Sequence, residues 1–317
     1  MGVAEYFLPV LPTEREQMRA NFQIGEKRMA FLNLCIAIIL STFLWAGVLC
    51  GTAEAAGKDP TLDVPYEPTS YGIAKEMLEM AGVTSKDLVY DLGCGDGRIV
   101  ILAAKERGAT GVGVDLDPKR IAESRENAKA AGVTHLVRFF EQNLFDTDIK
   151  KATAVMLYLY PEVNIRLRPK LLRDLQPDTR IVSHSHTMGE WEDDATKRVE
   201  GHDIHFFVVP ANATGTWRWT DPDGLEITLT LTQKFQRVKG IFSTGAERYP
   251  LMGASLRGNR FRFAVERQVR GGWETFLFRG QISGDTITGE TTSGAKGQTV
   301  NRWQATRDPY TMAPIAE

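Results

Sequence analysis

The sequence predicts an α/β domain built on a mostly parallel, buried sheet, followed by a smaller all-β domain. Three observations predict it. Between residues 69 and 210, short apolar runs alternate with segments of helical period. The first of these runs, Leu88–Leu92, leads directly into the glycine turn DLGCGDG at 91–97 and then into a helical pattern. Past residue 211 the period changes to two, with turn dipeptides separating the runs.

At 317 residues the chain is long enough for about two domains behind a leader. The boundaries predicted are 1–56 for the leader, 57–210 for the α/β domain and 211–317 for the β domain. A net charge of −2 gives no reason to expect nucleic acid as a partner. Of three cysteines, Cys35 and Cys50 lie in the leader, which leaves Cys94 alone in the rest. A lone cysteine forms no internal disulfide, and no metal-ligand spacing surrounds it. Between two motif glycines, Cys94 reads as small loop filler rather than as a nucleophile.

In the leader, Glu26-Lys27-Arg28 precedes an apolar run at 29–50, and Ala53 and Ala55 form an A-x-A site. This describes a signal peptide, or a membrane anchor if uncleaved. With Lys27 and Arg28 before the run, the body is expected outside the cytoplasm, membrane-associated or exported (periplasmic in a bacterium).

The α/β domain follows a linker with Pro60, Pro65 and Pro68. Ile73, Met77 and Met80 recur at helical spacing, and Thr69 or Ser70 caps that helix. Thr69 is also a candidate ligand contact. In the glycine turn, Asp91 precedes Gly93, Gly95 and Gly97, where any Cβ would hold the backbone away from a ligand. Gly111–Asp115 is the second strand. A carboxylate about 20 residues beyond the loop, at a strand end, accepts both hydrogens of a ribose diol, and it repels a phosphorylated ribose. Asp117 followed by Pro118 reads as a helix cap. Leu136–Phe140, Thr153–Tyr160 and Arg180–His186 are the remaining parallel strands, and His205–Pro210 ends the domain in an edge hairpin. Tyr158, Tyr160 and Pro161 close the fourth strand, where ligands lie in such sheets, and are expected to position the substrate. His184 and His186 are further candidates for moving a proton.

The D-x-G-x-G-x-G spacing with its second acid, Asp115, resembles motif I of the class I S-adenosylmethionine (SAM) dependent methyltransferases. The resemblance implies that Asn143 and Leu144, in the turn EQNLFD, lie against the adenine. Residues 62–210, through VPYEPTSYGIAKEML, GVGVDLDP, LYLYPEVNIRLRPKLL and RIVSHSHTMGEW, are similar to the membrane-associated protein-lysine methyltransferases that modify the ATP synthase c-subunit and the adenine nucleotide translocase, and to their bacterial relatives. That resemblance implies a Rossmann-like, seven-stranded, mostly parallel sheet, SAM as cofactor and a protein lysine as acceptor; with no metal-ligand spacing in view, no metal is expected.

In the β domain, Leu225–Leu231 alternates strictly, and Asp223-Gly224, Gly258-Asn259, Gly271-Gly272 and Gly284-Asp285 mark turns. About eight short strands suggest an up-and-down barrel or a curled meander. Gly215-Thr-Trp217 near its start and Arg307 near its end resemble lipocalin-like barrels, which implies a Trp–Arg stack at the closed end. The interior is expected to be packed with side chains rather than to hold a ligand. Asn212-Ala-Thr214 matches a glycosylation sequon by pattern alone.

Two functions compete. The intact glycines and Asp115 favour a SAM-dependent methyltransferase acting on a protein near a membrane. The leader favours a non-catalytic exported binding protein with a SAM-type fold. The loop spacing disfavours a nicotinamide dehydrogenase.

Overall fold

The computed structural model describes residues 66–269, 272–293 and 299–316, and the leader with its apolar run 29–50 lies outside them. Among the described residues, no helix is long and apolar enough to cross a membrane.

The first sheet has seven strands interleaved with four helices: α1 (Tyr71–Met80), β1 (Leu88–Leu92), α2 (Arg98–Arg107), β2 (Thr110–Asp115), α3 (Pro118–Ala130), β3 (Val137–Glu141), β4 (Ala154–Leu157), α4 (Pro161–Asp174), β5 (Arg180–His184), β6 (Ala195–Val199) and β7 (His202–Val208). Its order is β3-β2-β1-β4-β5-β7-β6. Strands β1 to β5 run parallel, whereas β7 lies antiparallel between β5 and β6. The order reverses between β1 and β4, so the crevice for a ligand opens at their C-terminal ends.

Local chemistry accounts for the helix positions. Ser70 Oγ accepts the N–H of Ile73 at 3.1 Å to start α1, which buries Ile73, Ala74, Met77 and Leu78. Asp117 accepts the N–H of Lys119 at 2.8 Å, and Pro118 occupies the first turn of α3. Every residue of β4, AVML, is buried, as a central parallel strand requires. Each of its larger side chains contributes roughly 1.5–3 kcal/mol by burial.

The structure differs from expectation at strand ends and at the sheet edge, where β7 runs His202–Val208 rather than from His205 to Pro210. β4 ends at Leu157 and β5 at His184, so Tyr158, Tyr160 and His186 lie beyond the sheet. β6, ATKRV, is an exposed edge strand with no apolar alternation to announce it.

The second sheet has nine antiparallel strands: β8 (Gly215–Thr220), β9 (Glu226–Lys234), β10 (Arg237–Thr244), β11 (Glu247–Pro250), β12 (Met252–Arg257), β13 (Arg260–Val269), β14 (Gly272–Ser283), β15 (Thr286–Ser293) and β16 (Thr299–Arg307). They form a nearly closed up-and-down barrel in which β16 returns to pair with β8. Aromatic rings fill the interior: Phe263 stacks on Phe278 at 4.6 Å, and Trp219 lies 5.0 Å from Trp303. Asn212, of the sequon, accepts the N–H of Thr214 at 2.9 Å and donates to the Ala313 carbonyl at 2.8 Å, so its amide is used within the fold.

The two sheets belong to one compact unit. Phe235, at the β9–β10 turn, stacks on Trp191 with ring centres 6.2 Å apart and planes 7° from parallel. Lys234 pairs with Glu190 at 2.6 Å, and Arg237 pairs with Glu192. The barrel therefore grips the segment that follows β5.

Candidate active site

The glycine turn adopts a backbone that side chains resist. Gly93, Gly95 and Gly97 have φ of +88°, +52° and +78°. A Cβ on Gly95 would lie 2.5 Å from the Tyr66 ring, and one on Gly97 would lie 2.6 Å from Phe139. The N–H groups of Gly93 and Cys94 both donate to the Val114 carbonyl at 2.9 Å, which ties the turn to β2. Cys94 is buried, and burial first, then Asp91 and Asp115, push its thiol up, so it stays protonated filler.

Asp115 sits between the turn and α3. Its Oδ2 accepts the N–H of Gly95 at 2.8 Å and its Oδ1 accepts that of Asp117 at 3.0 Å. Each oxygen keeps acceptor capacity for a hydroxyl. Asp91 is 2% exposed, and no hydrogen bond reaches its carboxyl among the described residues. Burial, then the like charges of Asp115 and Asp96, push its pKa up to about 8. It therefore faces the crevice protonated at neutral pH, held ready for a cationic ligand.

Residues 66–70 fold back over the turn. Arg98 pairs with Asp96 at 2.6 Å and donates to the Thr69 carbonyl at 2.8 Å, which anchors the segment to α2. The Arg120 guanidinium lies 4.4 Å over the Tyr66 ring. Ser70 is the helix cap, whereas Thr69 is 4% exposed and places its hydroxyl 3.2 Å from His184 Nδ1.

At the other end of the crevice, Tyr158 stacks on His184 with centres 3.9 Å apart, and His186 lies edge-on to Tyr160 at 6.2 Å. The Glu67 carboxylate lies near the Tyr158 hydroxyl, and burial first, then that negative charge, pushes the phenol up to about 12. Burial, with His202 and His186 nearby, lowers His184 to about 4, so it is neutral at physiological pH. Burial also lowers His186, against the opposing influence of Glu162 and Glu67.

One pocket brings together Thr69, Asp91, Gly93, Gly95, Asp115, Asn143, Leu144, Tyr158 and Tyr160, all named from the sequence. Gly97 and Pro161 stand outside its lining: Gly97 caps α2, and Pro161 opens α4. Asn143 already accepts the N–H of Phe145 at 2.9 Å, leaving one lone pair of its oxygen and its amino group for a ligand. Among the described residues, no acidic, His or Cys cluster could hold a metal ion. Tyr66, Glu67, Arg98 and Arg120 line the same pocket and were not expected there from the sequence. Only the closeness of Tyr66 and Glu67 to Thr69 hinted at them.

A glycine cradle that a Cβ would close, a carboxylate with free lone pairs and an unpartnered buried acid fit an adenosyl group with a cationic end. Comparisons agree. A family model described as the ANTKMT methyltransferase domain matches residues 91–195. The chain is 41% identical over 151 residues to a protein-lysine N-methyltransferase of Saccharolobus islandicus, covering 46% of this chain and 94% of that protein. It is 34% identical over 133 residues to the ATP synthase c-subunit lysine N-methyltransferase of Xenopus laevis, covering 42% of this chain and 58% of that one. A crystal structure described as an RNA methyltransferase from Salinibacter ruber, in complex with S-adenosyl-L-homocysteine, is 48% identical. It covers 45% of this chain and 94% of that one, with a TM-score of 0.45.

Proposed function

We propose, for a chain that belongs to the class I SAM-dependent methyltransferases of the ANTKMT type, that its acceptor is a lysine amine of a membrane-associated protein. SAM supplies an electrophilic methyl on sulfur. Gly93, Gly95, Asp115 and Asn143 would hold its adenosyl part, and Asp91 would face its cationic end.

The observation that carries the lysine reading is the exposed carboxylate of Glu67, which lines the same pocket as Tyr158 and acts on its hydroxyl. A lysine arrives as an ammonium ion and must lose a proton before it can attack. Glu67 attracts the cation, while Tyr158, which stays protonated, turns its phenol oxygen to orient the amine. His186 lies beside Tyr158 and Tyr160, lines the pocket and is held neutral, so it would take the proton that the incoming ammonium gives up, leaving the amine's lone pair to attack the methyl. The membrane part of the reading rests on the apolar run 29–50 of the sequence.

Incubating the protein with tritiated SAM and membrane fractions tests the proposal. Label in a protein band, mapped to lysine by mass spectrometry and lost with Asp115→Ala, supports it. Label recovered in RNA or lipid overturns it.

A further inference from the structure

The outer face of the barrel carries a charge arrangement that the fold itself does not need. Outward residues of β12 to β16 fall in register: Arg257 faces Arg260, Arg262 faces Arg279, Arg279 faces Glu290, and Glu290 faces Arg302. Five guanidiniums thus share two adjacent rungs with one carboxylate, in a protein of net charge −2. Arg257 reaches Asp194 at 3.3 Å, and Arg302 lies 3.9 Å from Glu290. Among the described residues, the side chains of Arg260, Arg262 and Arg279 make no ion pair or hydrogen bond, and all three are exposed. Like charges directly opposite across a sheet are destabilising. These residues line a groove floored by the Gly280–Gly289 pair.

The next rung toward the far end of the barrel is apolar. Met252, Ala264, Leu277, Thr292 and Val300 are successive partners across the same five strands, and Met252, Leu277 and Val300 are 40%, 43% and 56% exposed. Trp273, on the same face of β14, is 65% exposed. A nucleic-acid surface would place stacking rings beside its cations. This face instead sets aliphatic side chains next to the arginines and a single tryptophan three rungs further along β14, the composition that favours a bilayer interface.

We propose that the outer face of β12–β16 docks on an anionic phospholipid surface. The guanidiniums grip headgroup phosphates, and Leu277, Val300 and Trp273 enter the headgroup–acyl boundary. This role is independent of the acceptor's identity.

The test is flotation of the full chain with phosphatidylcholine vesicles, with and without phosphatidylglycerol. Anionic vesicles are expected to bind far better. Arg262→Gln/Arg279→Gln should weaken that binding roughly 30-fold, about fivefold for each guanidinium. The same double variant should melt at or above the wild-type temperature, because its cross-strand repulsion is gone, and should still bind S-adenosylhomocysteine. Arg218→Gln, on the outward face of β8, should bind as the wild type does. Equal binding to both vesicle types overturns the proposal, as does unchanged binding by the double variant or an equal loss with Arg218→Gln. It is also overturned if inorganic phosphate at matched ionic strength abolishes docking, or if single-stranded RNA binds through the same arginines while vesicles do not.

Discussion

The guanidinium of Arg307 lies 4.4 Å above the ring centre of Trp217, at the closed end of the barrel. Both side chains are buried, and each belongs to a strand at the seam, where β16 meets β8. The planar cation is satisfied on every side. Arg307 donates to the carbonyls of Asn212 and Thr214 at 2.9 Å and of Gly284 at 2.7 Å, and it pairs with Asp285 at 2.9 Å. One side chain thus ties the first strand, the last strand and the β14–β15 turn together.

Arg307→Lys is therefore expected to fail as a conservative change. An ammonium cannot stack flat on the indole or reach three carbonyls at once. Arg307→Ala should cost about 3–5 kcal/mol, the range for breaking a buried charged network. Arg307→Lys should recover less than half of that loss. Urea unfolding followed by tryptophan fluorescence measures both. A loss under about 1 kcal/mol for either would mean that the seam is held by the aromatic interior alone.

Asp91 predicts a proton linkage. Its pKa, pushed up to about 8 in the free protein, falls when a cation binds beside it. SAM binding at pH 7 should then release close to one proton, and affinity should strengthen as pH rises toward 8 and level off above it. Calorimetry in buffers of different ionisation enthalpy reads the proton directly. Asp91→Asn should bind weakly, with no proton release and no slope. A folded-state pKa above that of the unfolded chain also means that stability declines as pH rises from about 4 toward 8. The ligand-free Asn variant should therefore outlast the wild type at pH 8 to 9.

Tyr158→Phe keeps the ring on His184 and removes only the hydroxyl that meets Glu67. Turnover should fall about 10- to 100-fold, with binding of S-adenosylhomocysteine unchanged. Glu67→Gln should mainly raise the KM for the acceptor, because it removes an attracting charge. Tyr160→Phe should be milder: this side chain is 40% exposed, and its capping of α4 uses no side-chain hydrogen bond. Unchanged turnover in Tyr158→Phe would remove the tyrosine from the mechanism.

The sequence made legible what short stretches of chain decide by themselves. Gly93 to Gly97, the Asp117-Pro118 cap and the strand-end Asp115 each follow from a turn or cap whose chemistry lies within a few residues. The seven-stranded, mostly parallel sheet followed from the resemblance, and the Trp217–Arg307 stack from a second one; the strand order came only with the structure. What escaped depended on distant partners. Tyr66 meets Gly95 from 29 positions upstream, a closeness that no periodicity records. β6 is mostly polar and exposed, and the side chains that tie it to β7, Arg198 to Asp203 at 3.0 Å and Thr196 to His205 at 3.3 Å, follow no apolar alternation. In the barrel, a register shift between Met252 and Ser255 breaks the alternation that would have marked β12.

Phe235 links the barrel to the active site. It is 2% exposed, stacks on Trp191 and lies under the Arg168 guanidinium at 5.0 Å, although its φ of +50° is costly for a bulky residue. Trp191 follows His186 by only five positions, and Arg168 also donates to the Met188 carbonyl at 2.9 Å. The ring therefore braces the segment that carries His186 into the pocket. Phe235→Ala should cost about 3–5 kcal/mol, as for other buried aromatics. More tellingly, amide exchange should accelerate across residues 185–192 while β1 and β4 stay protected, because local opening follows lost packing. Turnover should drop with it, even though no atom of Phe235 lines the pocket. Uniformly faster exchange, or unaltered exchange at 185–192, would show that the barrel stabilises the chain without bracing the site.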